Sequence, residues 1–317
     1  MIERLRNNNS LITLMVLLAI IIYRLIYVNE ADEHLGAIGP LWFWIEPYLN
    51  SFSSFGIQIW SAVLFIVSSL AMTFILNQHK IFKRHNYLFM LLSIALLFKS
   101  GNSSFNSHII YLLLIPFIYH QIIELSRAES IAYSNIFNLS LMMGVLVVFN
   151  HSYFLHAAFI FLFILLVIQF NLRIILLYIA GLFLTYYTIF MLNYLLEMQK
   201  DLDLYWNRTV IEITAFHLDY FQLSVLLFLS LFIVAAIFHL QGLYARLIIL
   251  KRRFHLANYL LLISGVIACL LVKQWNWIMF LYIAYPVTVI INDWINRIER
   301  PWIKETIGLA LIACLFI

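Results

Sequence analysis

Charge is what this chain lacks. Asp, Glu, Lys and Arg together make up 11% of its residues, against 64% apolar, whereas a soluble domain carries about a quarter charged. A water-soluble globule of 317 residues could not hide that much apolar surface, so lipid is the expected solvent. Cysteine is scarce: Cys269 and Cys314 both fall in apolar runs, which leaves no disulfide and no cysteine metal pair to expect. Glycine is scarce as well, at nine residues, and only Pro116 and Pro286 lie well inside apolar runs. Transporters often build their sites from broken helices, and proton- or ion-coupled ones need ionisable groups near the midplane. No charge lies deep in any run here, so both shortages weigh against transport. A P-loop, a Gly-rich phosphate motif, a heptad repeat and an internal repeat are all missing. The pI near 9.0 does not point to nucleic acid, because the basic residues flank apolar runs.

What is there is hydrocarbon in long blocks. Crossing about 30 Å of lipid as helix takes roughly 20 apolar residues, and a transmembrane barrel would alternate apolar and polar positions. These runs do not alternate. The expected fold is all-α: one integral domain over 1–317, a polytopic transmembrane helix bundle of about 11 spans. The spans read as about 11–28, 57–76, 87–98, 109–125, 131–149, 155–170, 174–196, 222–245, 256–272, 277–292 and 303–317. The first is long for a signal peptide and has no small-residue cleavage site after it, so it reads as a retained helix. Run 87–98 is short for a crossing, and with 109–125 it reads as a full pair of spans or as a shallow hairpin.

Basic residues give the sidedness. With the N-terminus in the cytoplasm, 14 of the 19 Lys and Arg fall on the cytoplasmic side and 5 outside, a positive-inside bias. The expected location is therefore the bacterial inner membrane. The two longest polar segments then both face out, at about 29–56 and 197–221. They hold nine of the fifteen acids: Glu30, Asp32, Glu33, Glu46, Glu197, Asp201, Asp203, Glu212 and Asp219.

In "NEADEH", Asp32 and Glu33 are adjacent and His34 follows. Neighbours on a helix diverge by about 100°, so on a helix the two carboxylates would not share a target, while an extended or turn geometry lets one point into a cavity and the other outward. A carboxylate at a cavity mouth can act as a general base or bind a cation; no cofactor is expected, and a divalent cation is compatible with these acids. The competing reading is a solvated outer loop. Next come Trp42, Phe43, Trp44, Tyr48 and Phe52, with Pro47, an aromatic segment suited to headgroup depth. An acid cluster anchored at that surface is well placed to act on a lipid headgroup.

In the second outer segment Arg208 precedes Glu212, His217 and Asp219. Arginine grips phosphate bidentately, and the competing reading is an i,i+4 pair with Glu212. Arg24, near the outer end of the first span, either snorkels to the interface or turns toward the acids. Asp32 and Glu33 are thus the candidate catalytic residues, and Arg24, His34, Arg208 and His217 the candidate substrate-binding ones. His151 and His156 lie five apart and share no helix face, so they suggest no metal site. Glu124 and His239 sit near cytoplasmic helix ends.

Two resemblances add to this. The charged start "MIERLRNNNSLITLMVLLAIII", the 87–125 pair, the middle "FNLSLMMGVLVVFNHSYFLHAAFIFLFILLVIQFNLRIILLYIAGLFLTYY" and the close "LYIAYPVTVIINDWINRIERPWIKE" resemble a family of polytopic inner-membrane proteins from Bacteroidota with no established function. That resemblance implies a fold and supplies no mechanism. "ADEHLGAIGPLWFWIEPYLN", an acidic pair and interfacial aromatics after a first span, is similar to the first outer loop of the GT-C glycosyltransferases, which use polyprenyl-phosphate-linked sugars. "GVLVVFNHSYFLHAAFIFLFILL" also resembles their mid-chain helices. The large soluble C-terminal domain of several members has no counterpart here. By this resemblance Asp32 is the catalytic member of the acid pair, with Glu33 beside it. The expectation is an envelope-glycan transferase with a polyprenyl-phosphate-linked donor, membrane lipids as surroundings and no nucleic-acid partner. A non-catalytic subunit of an envelope or secretion complex, and a flippase of lipid-linked material, are the alternatives.

Overall fold

A computed structural model describes residues 54–82, 88–99, 109–127, 132–168, 171–195, 220–244, 247–271 and 280–316. The described residues form ten α-helices and one 3-10 turn, with no strand. The helices are α1 (Ser54–Gln78), α2 (Leu88–Lys99), α3 (Ile109–Arg127), α4 (Tyr133–Phe149), α5 (Phe154–Val167), α6 (Leu172–Leu195), α7 (Tyr220–Tyr244), α8 (Ile249–Leu271), α9 (Phe280–Arg297) and α10 (Pro301–Phe316). Each coincides with one expected apolar run; the run at about 11–28 lies outside the described residues. The largest offset is at α8, which starts at Ile249 rather than 256. Lys251, Arg252 and Arg253 end the apolar run, yet Lys and Arg are good helix formers, so the helix runs on into its polar flank.

Among the described residues, two helices are long and apolar enough to cross a membrane by length and composition alone: Ile59–Gln78 and Leu172–Leu195. Helix α6 shows the pattern lipid demands. Its inward face carries small, polar and aromatic residues, with Tyr178, Gly181, Thr185 and Asn193 buried, while Leu176, Ile179, Phe183, Phe190 and Leu195 are exposed. In water such an apolar stripe would be an aggregation surface.

The inward face of α6 meets α4 side by side. Ser140 and Gly144 on α4 oppose Gly181 and Thr185 on α6, a small residue every four positions on both helices. This is how apolar helices approach closely without a hydrophobic driving force between them. A Cβ on Gly144 would sit 2.6 Å from Thr185 Oγ1, and one on Gly181 would run into Ser140 Oγ. Residue 140 faces 181 and 144 faces 185, so the two helices run parallel, with α5 returning the chain between them.

The centre belongs to α9 and α2. From Leu281 to Ile295, α9 is buried at every position except Ile283 and Trp294, which are partly exposed. Helix α2 has 12 residues, about 18 Å of helix, which is shorter than a full crossing on its own. Every described side chain on it is buried, and it packs on α1, α9 and α10. Among the described residues these three helices, more than α3, are its packing partners. Apart from Ser93 and the terminal Lys99 the helix is apolar all round and has no polar face to offer, so it goes to the interior.

Candidate functional site

The two interior prolines organise the chemistry. Proline has no N–H and leaves the carbonyl four residues earlier without its helical donor. For Pro116 in α3 that carbonyl is Leu112, and for Pro286 in α9 it is Tyr282. Neighbouring helices supply both missing donors, as lipid surroundings require. Ser68 Oγ on α1 donates to the Leu112 carbonyl at 2.6 Å. His156 on α5 approaches the Tyr282 carbonyl at 3.3 Å through Nε2. A carbonyl only accepts, so Nε2 carries the proton.

These two bonds meet in one aromatic cluster. The Tyr285 hydroxyl lies 2.5 Å from Ser68 Oγ; the single serine proton already serves Leu112, so Tyr285 donates. Tyr111 stacks on Tyr153 with centroids 4.9 Å apart, Tyr153 meets Tyr282 at 5.0 Å, and the His156 ring stands edge-on to Tyr111 and Tyr153. All five side chains are buried. The Asn150 and Ser152 side chains hydrogen-bond the Tyr282 side chain, and Asn150 Oδ1 also caps the 3-10 turn by accepting from Ser152 N–H at 3.0 Å. Beside them His151 Nδ1 donates to the Val147 carbonyl at 3.1 Å. Burial holds His151 below the ordinary histidine range, partly offset by that bond.

Among the described residues two buried polar atoms of this cluster have no partner: His156 Nδ1, left as an acceptor by the tautomer, and the Tyr111 hydroxyl. A polar atom stranded in an apolar interior costs about 1–3 kcal/mol, so this spot invites water or a hydroxyl-bearing guest.

The cluster has a definite address. Tyr111, Tyr153 and Tyr282 lie at or next to the N-terminal ends of α3, α5 and α9. Helix α1 runs parallel to α3, because Ser68 meets Leu112 and His79 meets His120. Helix α6 runs parallel to α4. Helix α7 ends where α8 begins, Tyr244 donating to the Arg252 carbonyl at 3.2 Å, and α8 lies antiparallel to α9 with His255 on Asp293. The start of α1, the end of α6 and the start of α7 therefore share the tyrosine end of the bundle. These are the helix ends that adjoin residues 1–53 and 196–219.

The opposite end collects charge. Asp293 Oδ2 accepts from His255 Nε2 at 3.1 Å and from Arg297 Nε at 2.9 Å, with all three side chains nearly excluded from solvent. Arg253 reaches the Ser126 carbonyl at 3.4 Å, and Tyr119 donates to Asn258 Oδ1 at 2.8 Å. His79, His120, Glu124 and Arg127 lie at this end too. Burial is the main influence holding His79 below the ordinary histidine range, with Glu124 pulling the other way.

Arg24, Asp32, Glu33, His34, Arg208 and His217 all lie outside the described residues. Of the positions weighed from sequence, Glu124 enters the charged end, His151 and His156 sit at the tyrosine end, and His239 is exposed on α7. Sequence reasoning passed over His79, His120, His255 and Asp293. Two signals for them were there: His120 with Glu124, and Asp293 with Arg297, are i,i+4 pairs on one helix face. The partners of the prolines were not readable, because the donors come from other helices.

The chain matches no protein-family model, no curated protein and no solved structure.

Proposed function

We propose that this is a multi-pass inner-membrane protein of about 11 spans, N-terminus in the cytoplasm, acting as a GT-C-like envelope-glycan transferase. On this reading a polyprenyl-phosphate-linked donor is used on the outer face. Asp32 is the base toward the acceptor hydroxyl, Glu33 stands beside it, and Arg208 holds the carrier phosphate. The observation that supports it best is the stranded polar pair, Tyr111 hydroxyl and His156 Nδ1. It lies at the bundle end adjoining the two acid-bearing segments. Among the described residues these two atoms lack a partner, and a water or a ligand hydroxyl placed there would satisfy them.

Two measurements test the reading. Mass spectrometry of lipids copurifying with the detergent-solubilised protein is expected to show polyprenyl-phosphate species, depleted at least tenfold in Arg208→Ala. Phospholipids alone, in wild type as in the variant, would count against a carrier substrate. Single cysteines at Ser51 and Asn207, in a background without Cys269 and Cys314, are expected to react with an impermeant maleimide on intact spheroplasts. One at Gln78 is expected to stay unlabelled. Labelling at Gln78 with none at Asn207 would invert the orientation and remove the outer-face site.

A further inference from the structure

The charged end of the bundle contains a group of side chains with nothing to do with the tyrosine cluster. Helix α1 stops in a defined way. Lys80 has φ of 53°, the Lys80 N–H bonds the Asn77 carbonyl and the Ile81 N–H bonds the Leu76 carbonyl. That is a Schellman close with a lysine in the left-handed position where glycine is usual. Buried Leu76 and Ile81 both join the hydrophobic core that holds this close. Holding a non-glycine residue there costs about 1–2 kcal/mol. Its effect is to fix His79, the residue just before, against α3 with 8% of its surface exposed.

On α3, His120 and Glu124 are four residues apart and so share a face. His79 Nε2 lies 3.1 Å from His120 Nδ1, and His79 Nδ1 lies 3.6 Å from a Glu124 carboxylate oxygen. One ligand atom from each of the three residues can be chosen so that all lie within 4.8 Å of one another. Metal–nitrogen bonds of about 2.0–2.1 Å in a tetrahedron set neighbouring ligand nitrogens about 3.3 Å apart. The imidazole pair is already near that spacing. His120 and Glu124 are partly exposed, which leaves a side open for water as a fourth ligand.

We propose that His79, His120 and Glu124 form a divalent metal site at the charged end of the bundle, with two imidazoles, one carboxylate and an open fourth position. Two nitrogens and one oxygen favour zinc over magnesium or calcium, which take oxygen ligands. This site is separate from the tyrosine end and stands whether or not that end works as proposed.

Arg127 is the built-in competitor. Its guanidinium donates to His79 Nδ1 at 3.2 Å and lies 3.6 Å from Glu124. With Nδ1 accepting, the His79 proton sits on Nε2 and points at His120 Nδ1. Metal at Nε2 requires that proton to move to Nδ1, and Arg127 to leave. Its side chain is 52% exposed, so it is able to swing into solvent. Glu124, released from it, turns to the metal. Arg127 therefore lowers affinity, and its removal raises it.

The test uses full-length protein in detergent, stripped with chelator and titrated with Zn²⁺, and with Co²⁺ as a spectroscopic stand-in. One equivalent is expected to bind, with the visible d–d absorption of a four-coordinate cobalt site. His120→Ala and Glu124→Gln change partly exposed residues and leave the core intact. Each is expected to weaken binding by at least tenfold, while His239→Ala leaves it unchanged. Arg127→Gln is expected to tighten binding about tenfold. Zn²⁺ is also expected to raise the unfolding temperature of wild type and not of His120→Ala, since a ligand bound only by the native state stabilises it. Stoichiometric binding that survives both His120→Ala and Glu124→Gln, or no binding by wild type above His120→Ala, would overturn the site.

Discussion

Asp32→Asn is expected to abolish complementation of a deletion strain while the protein reaches the membrane at wild-type abundance. Removing a general base costs about 10²–10⁴ in rate, whereas a solvated surface acid away from special features usually alters stability by no more than about 0.5 kcal/mol. The amide keeps the size and removes only the proton acceptor, so a catalytic and a solvating carboxylate separate cleanly. Glu33→Gln is expected to be milder, because on the proposed reading only one of two adjacent carboxylates turns to the acceptor. Arg208→Ala is expected to resemble Asp32→Asn if it grips the carrier phosphate. The readout is the polyprenyl-linked lipid pool beside an immunoblot of membranes. Full complementation by Asp32→Asn at native expression would remove the catalytic assignment and leave the non-catalytic subunit as the better account.

Helix positions were legible in this sequence because hydropathy is a local property. Each described helix coincides with an apolar run, and the misses are at ends such as Ile249, where basic residues prolong a helix beyond its hydrocarbon. What hydropathy cannot carry is depth and partnership. Run 87–98 read as short, yet nothing in "LFMLLSIALLFK" says that it lies at the centre against α9 instead of beside α3. The same holds for the polar contacts. Pro116 and Pro286 mark which carbonyls lose a donor, but Ser68 is 44 residues from Leu112 and His156 is 126 from Tyr282. Such pairs exist only once the bundle is assembled. The small-residue spacings 140–144 and 181–185 were visible singly and acquire meaning only when the helices face each other.

Proposed activity at one end and buried charge at the other pose a question of cause that Asp293 can answer. The residue is 3% exposed, and its carboxylate accepts from both His255 and Arg297. Removing one partner of a buried ion pair costs about 3–5 kcal/mol, because the remaining charge is stranded, whereas replacing the whole group with apolar side chains is often neutral or stabilising. Asp293→Ala is therefore expected to lower the detergent unfolding temperature sharply and to reduce membrane abundance. The combined variant Asp293→Leu, His255→Leu, Arg297→Met is expected to recover most of that loss. If the group serves the fold alone, the combined variant also restores complementation of the deletion strain. A variant that recovers stability but stays inactive would assign these three residues a task beyond holding α8 to α9. An Asp293→Ala protein as stable as wild type would mean that Arg297 finds water at the bundle end and that the buried pairing contributes little.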